Sequence, residues 1–279
     1  MKYIKFKDLY FKQYLKIIKF AFLFKKKNII IKKKILIYFE ENSTRTLLSF
    51  NIAAQELKCS TTIFNKNNSQ LSRGENLKDT IKIISLFNDL VIYRGNNKTL
   101  NKLSKINKLN VINALDNKQH PTQIINDIFT YIDIRGNIIG KTITWIGRKN
   151  NVFNSWKEAS KIFKFKFNIY LNKKERKINK NINCFKNIEI ACIKSNILTT
   201  DTWNSIHDKK KRKFKQLKIK KKLTKLTNKK VIILHCLPMN IGQEICKKTI
   251  KSKKNKIWKQ AKNKLYIAKA IIYYCIGRT

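Results

Sequence analysis

Short apolar runs alternate with helix-patterned stretches over almost the whole chain, and that alternation restricts it to βαβ units assembled into parallel sheets. Ile35–Phe39, Thr61–Phe64, Leu90–Tyr93 and Val111–Ala114 predict one set of strands, with helices after Arg45, around Leu77–Leu86 and around Leu100–Lys105. A second set is predicted at Thr142–Ile146, Phe167–Leu171, Ile197–Thr200 and Val231–Leu234. Ile124–Ile134 reads as one amphipathic helix between the sets. Ile257–Cys275 reads as a long final helix, because Ile257, Ala261, Leu265, Ala268 and Ile272 fall at helical spacing with no Gly or Pro. The expected fold class is therefore α/β: two domains, each a parallel β-sheet flanked by helices, linked by interdomain helices. With 279 residues and 43% hydrophobic content, each domain has enough apolar material for its own core. The Lys/Asn-rich segments Asn172–Asn183 and Asp208–Lys230 read as loosely packed surface or loop. Lysines at 5, 7, 12, 16 and 19 interrupt Met1–Phe24 too often for a membrane span, while Leu9, Leu15, Ile18 and Phe22 suit one face of a packed helix.

Charge is the compositional anomaly. A net +47 and runs such as Lys209–Lys213 invite a nucleic-acid reading, but the lysines are spread from end to end among Ile, Asn and Phe. A chain-wide coding bias accounts for that spread better than a phosphate-contacting stripe, which would interleave with stacking aromatics. The expectation is no specific nucleic-acid partner, with salt-sensitive polyanion binding as a side effect of the field. Six cysteines (Cys59, Cys184, Cys192, Cys236, Cys246, Cys275) contain no C-x-x-C pair, so neither a zinc cluster nor a disulfide framework is signalled. That usage suits a reducing cytoplasm, and the three histidines supply no metal set. No cofactor and no metal are expected.

Chemistry concentrates in three polar clusters. Ser43-Thr44-Arg45-Thr46 stands between a predicted strand and a predicted helix, where first-turn N–H groups, hydroxyls and a guanidinium fork suit a phosphate. In isolation the tetrapeptide reads first as a Ser/Thr N-cap with a surface arginine, since capping residues are common, and the other two clusters tip the reading toward an anion site. His120-Pro121-Thr122-Gln123 precedes the stripe Ile125, Ile128, Phe129, Ile132, and His235-Cys236-Leu237-Pro238 ends a buried apolar run. Ligands of open α/β sheets collect at such strand ends, so the three clusters are expected to meet in one crevice.

In this order and spacing, S-T-R-T, H-P-T-Q and H-C-L-P make the chain resemble the aspartate/ornithine carbamoyltransferase family, and the third motif resembles the ornithine branch. The resemblance runs from about Leu36 to Ala270 and includes Phe39-Glu40, Gln70, Tyr93-Arg94-Gly95, Asn150-Asn151 and Asp201-Thr202-Trp203-Asn204-Ser205. It implies a carbamoyl phosphate domain over 1–132, with the helix 257–279 packing back on it, and an ornithine domain over 133–256. The implied carbamoyl phosphate residues are Ser43, Thr44, Arg45, Thr46, Gln70, Arg94, His120, Gln123, Leu237 and Lys264. Asn151, Asp201, Ser205, Ile206 and Cys236 are implied for ornithine, with Arg45, His120 and Cys236 as the catalytic group. His120 would donate to the developing oxyanion. Gln123 and the Leu237 carbonyl would hold the carbamoyl NH₂, and Cys236 would position the amine rather than attack. The resemblance also implies a homotrimer in which Gln70 reaches a neighbouring subunit's site.

Three segments depart from the family pattern. Lys264 stands for an arginine, keeping the charge and losing the fork. Ile206-His207 replaces Met-Gly in the closing loop, and Phe153 replaces a glycine after Asn150-Asn151. An active but slow enzyme is the expectation. Two alternatives stay open: a carbamoyltransferase for another amine such as putrescine, and a non-catalytic basic relative.

Overall fold

A computed structural model describes residues 1–65, 67, 69–176, 183–204 and 214–277. The chain divides into two compact units, one of residues 1–129 with 261–279 and the other of residues 130–260.

In the first unit β1 (Lys2–Tyr3), α1 (Phe11–Leu23), β2 (Lys34–Phe39), α2 (Thr44–Glu56), β3 (Ser60–Phe64), α3 (Leu77–Phe87), β4 (Leu90–Gly95), α4 (Asn97–Ser104) and β5 (Asn110–Asp116) follow in order. All pairings are parallel, in the order β1-β5-β4-β2-β3. The side-chain period of two sorts the strands. Leu36 and Tyr38, Val91 and Tyr93, and Val111 face one side, where Ile81 and Ile84 of α3 and Leu100 and Leu103 of α4 cover them. From β2 the chain moves outward to β3, then crosses back to β4 on the other side. The topological switch point therefore lies between β2 and β4, and there Phe39 pairs with Arg94 at the strands' C-terminal ends.

The second unit holds β6 (Thr142–Ile146), α6 (Asn151–Phe163), β7 (Lys166–Tyr170), α7 (Lys173–Arg176), α8 (Ile188–Cys192), β8 (Ile197–Thr200), β9 (Ile232–His235) and α9 (Lys247–Ile250). Helix α5 (Pro121–Arg135) carries the boundary at residue 129, and α10 (Ile257–Ile276) carries the return boundary at residue 261. The sheet is parallel in the order β7-β6-β8-β9, so its switch point lies between β6 and β8. Phe153 and Trp156 of α6 pack on one face, with Phe153 ring centroids 5.9 Å from Trp145 and 6.0 Å from Phe167.

Every predicted strand is present within two residues at either end, and both sheets are parallel as expected. Two expectations are corrected. The buried face of α1 is Tyr14, Ile17, Ile18 and Ala21, whereas Leu15 and Phe22 are each 36% exposed and Leu9 precedes the helix. The segment 214–230 is not loosely packed: Leu217, Ile219 and Leu223 are fully buried with Val231, Ile233 and Ile245, while Lys215, Lys220, Lys221, Lys222 and Lys225 are exposed. Of the Asn172–Asn183 segment, residues 177–182 lie outside the described residues.

Candidate active site

In the first unit the turn after β2 carries Glu40, Glu41, Asn42 and Ser43. Ser43 has the extended backbone of an N-cap, yet its side chain makes no capping hydrogen bond. Its hydroxyl instead accepts from Nη1 of Arg94 at 3.3 Å. The simple-cap reading of S-T-R-T therefore fails, and the first-turn N–H groups of α2 are not satisfied by that side chain. Arg94 is aimed by its strand end, where the β4–β5 register shifts between Tyr93 and Arg94. Burial is the main force pulling the Arg94 pKa down, and the Arg45 guanidinium acts in the same direction.

The same register shift leaves the Ala114 carbonyl to accept from the Thr122 hydroxyl at 3.0 Å, which fixes the start of α5. His120 is buried there. Burial first, then Lys264 and Arg94, hold its pKa well below the ordinary histidine value, so the ring is neutral near pH 7. Lys264, buried on α10, donates to Thr46 Oγ1 and Gln123 Oε1, each at 3.2 Å. Gln123 in turn donates through Nε2 to Asp127 Oδ1 at 2.7 Å, one helical turn on. This fixes the amide orientation of Gln123, whose oxygen faces the ammonium. One ammonium thus joins S-T-R-T to H-P-T-Q. Arg45 is exposed at the start of α2. Gln70 is exposed at the start of a short turn, and its side chain makes no hydrogen bond among the described residues.

In the second unit the residues at the switch point of the sheet meet. Asn150 caps α6 by accepting from Phe153 N–H at 2.9 Å, and its Nδ2 donates to Asp201 Oδ2 at 2.7 Å. Asp201 Oδ1 accepts from the Thr202 N–H at 2.7 Å and from the Cys236 thiol at 2.8 Å. Cys236 is thus a hydrogen-bond donor to a carboxylate, as suits a positioning group. His235 is fully buried: its Nδ1 accepts from Leu237 N–H at 3.0 Å, which leaves the proton on Nε2 to donate to Glu244 Oε1 at 3.1 Å. That pair holds Leu237 at φ +45°, a left-handed conformation costly for a leucine. The ligand atoms of Asp201, His235 and Cys236 lie within 4.8 Å of one another, but both imidazole nitrogens are already committed, so the histidine offers no lone pair to a cation. Ser205 and Ile206 lie outside the described residues.

Asn150, rather than its neighbour Asn151, holds Asp201; the Asn151 oxygen accepts from the Val152 N–H of its own helix. Asn150 was legible as a cap, since Asn before a helical stripe is a start signal. Asp127 was legible only as the residue four positions after Gln123, and Glu244 carried no signal at all.

A family model described as "Aspartate/ornithine carbamoyltransferase, carbamoyl-P binding domain" matches residues 2–133, and one described as "Aspartate/ornithine carbamoyltransferase, Asp/Orn binding domain" matches residues 139–275. Ornithine carbamoyltransferase from Methylobacillus flagellatus is 32% identical over 88% of this chain and 84% of its own length. Among solved structures, the anabolic ornithine carbamoyltransferase of Campylobacter jejuni is 30% identical, with a TM-score of 0.90 over 100% of both chains. That of Burkholderia thailandensis is 27% identical, with a TM-score of 0.90 over 100% of this chain and 99% of its own. With both family models matched in order, and the Ser43–Arg94 and Asn150–Asp201 pairs at the two switch points, the chain belongs to the aspartate/ornithine carbamoyltransferase family.

Proposed function

We propose that the chain transfers the carbamoyl group of carbamoyl phosphate to the δ-amine of L-ornithine, giving L-citrulline and phosphate. The observation that carries this reading is Lys264, a buried ammonium tying Thr46 of the phosphate motif to Gln123 of the carbamoyl motif. Ser43, Thr44, Arg45, Thr46 and Arg94 take the phosphate, with charged donors that make such bonds roughly twice as strong as neutral ones. His120, neutral, offers an N–H to the carbonyl oxygen as charge develops there, and Gln123 with the Leu237 carbonyl takes the NH₂ group.

The acceptor side is supported by Asp201, whose carboxylate suits the α-ammonium, and by Asn151 for the carboxylate. Cys236 positions the δ-amine. Ser205 and Ile206 complete the acceptor loop. The neutral δ-amine attacks the carbamoyl carbon, a tetrahedral intermediate forms, and the C–O bond to phosphate breaks as the nitrogen's proton passes to the departing phosphate, which leaves as hydrogen phosphate. Most of the acceleration comes from holding two substrates together and neutralising the leaving phosphate. Residues 1–132 with 257–279 serve the first substrate and 133–256 the second. Gln70 acts across a homotrimer interface, and the reaction serves arginine biosynthesis in the cytoplasm.

Thermal unfolding with each ligand tests the assignment. Carbamoyl phosphate is expected to raise the melting temperature of the wild type and not of Arg45→Ala, and Asp201→Asn is expected to lose only the response to ornithine. A protein that melts identically with and without both substrates is a basic binding protein instead. Light scattering that finds a fully active monomer removes the role given to Gln70.

A further inference from the structure

Two glutamates follow β2, and the structure gives them different work. The Glu40 carboxylate is spent locally: Oε2 accepts from the backbone N–H of Asn96 at 3.1 Å and from its side-chain amide at 2.5 Å, and Oε1 accepts from the Tyr38 hydroxyl at 3.4 Å. Gly95 leaves the room for it, since a Cβ there would stand 2.5 Å from Glu40 Oε2. Glu41 turns the other way, and its Oε2 lies 3.8 Å from Nη2 of Arg94. The guanidinium is inside, with 11% side-chain exposure, while the Glu41 side chain is 34% exposed. Nη1 of Arg94 donates to the Ser43 hydroxyl, and its buried Nε has no hydrogen-bond partner among the described residues. A 3.8 Å pair made by a carboxylate whose side chain is about one-third exposed is held by field more than by close geometry, and water can screen it.

We infer that Glu41 is a resident counter-anion of the phosphate site, exchanging places on Arg94 with the phosphate of substrate and product. The inference rests on the assignment of Arg94 and Ser43 to a phosphate. The Arg45 guanidinium is close enough to disfavour the charge of Arg94, and Glu41 acts on it in the opposite direction. A phosphate bound to Ser43 and Arg94 brings negative charge to the same guanidinium, so Glu41 must leave for solvent, which its exposure allows. When phosphate departs, the carboxylate returns. Glu41 therefore weakens phosphate binding and hastens product release, while leaving the chemistry at the carbamoyl carbon alone.

This predicts an effect opposite to that of a structural anchor. If Glu41 merely held Arg94 in position, Glu41→Gln would bind phosphate more weakly. As a competing anion, its loss strengthens binding. Calorimetric titration with inorganic phosphate is expected to give Glu41→Gln a dissociation constant roughly tenfold below wild type, the scale of one unit charge at a partly exposed site. The gain is expected to shrink at high salt and to vanish in an Arg94→Gln background. In turnover, KM for carbamoyl phosphate falls without a rise in kcat. Unchanged or weaker phosphate binding by Glu41→Gln, or a gain that persists without Arg94, overturns the inference while leaving the phosphate site standing. If folded protein of every form fails to bind phosphate, the site assignment falls and the inference with it.

Discussion

Replacing Lys264 by methionine separates binding from folding. The ammonium is buried, with 8% exposure, and its desolvation costs several kcal/mol. Its bonds to Thr46 and Gln123 at 3.2 Å return about 1.5–3 kcal/mol each, so the residue contributes little net stability. Methionine keeps the volume and removes the desolvation cost, and the fold is expected to change by less than about 1 kcal/mol. Ligand binding is different. A phosphate dianion about 6 Å from an ammonium, at an effective dielectric near 20, is attracted by roughly 5 kcal/mol, of which about half survives water and salt. That is on the order of a hundredfold in affinity for carbamoyl phosphate. Lys262, exposed on the same helix, is the control, and Lys262→Met is expected to bind as wild type does. Urea unfolding and calorimetric titration read the two quantities independently. A Lys264→Met protein that loses several kcal/mol of stability while binding carbamoyl phosphate normally would make Lys264 a structural cation and refute the reasoning.

Other consequences follow from the same geometry. Because the folded pKa of His120 is held below its unfolded value, the unfolded chain binds the extra proton, and stability falls as pH drops below about 6.5. His120→Asn should flatten that fall in urea midpoints measured from pH 8 to 5, and identical slopes would contradict it. Glu244→Ala strands the buried Nε2–H of His235 and the Asn240 N–H, and a loss of about 2–4 kcal/mol is expected by urea unfolding; a loss under 0.5 would mean that water substitutes for the carboxylate. Asn150→Ala frees Asp201 to rotate, so KM for ornithine should rise about tenfold while KM for carbamoyl phosphate holds, and the reverse pattern would misplace Asp201.

What the sequence disclosed depended on how each residue meets its surroundings. Strands buried on both faces, such as Leu90–Gly95 and Ile232–His235, begin as unbroken apolar runs and are placed within two residues. The two-residue β1 has no period to read and was missed. In α1 the amphipathic Tyr14 goes inside and hydrogen-bonds the Phe6 carbonyl at 2.5 Å, displacing Leu15 from the buried face that hydropathy alone assigns it. Lysine density hid Leu217, Ile219 and Leu223, since three apolar residues among cations resemble a loop until their burial with Val231, Ile233 and Ile245 is seen. Phe153, read as a departure in the acceptor segment, is a core residue 3% exposed. Motif residues were legible because their order is characteristic. Their partners were not: Lys264 lies 218 positions from Thr46, and nothing in two adjacent glutamates distinguishes the one tied to Asn96 from the one beside Arg94.

The most direct measurement is carbamoyl transfer from carbamoyl phosphate by the purified protein, offered ornithine, aspartate and putrescine in parallel, with Arg45→Ala alongside. Citrulline from ornithine, at least a hundredfold reduced in the mutant and unmatched by product from the other amines, is the predicted result. Product from putrescine or aspartate alone would move the acceptor assignment, and silence with every amine from folded protein would contradict the account.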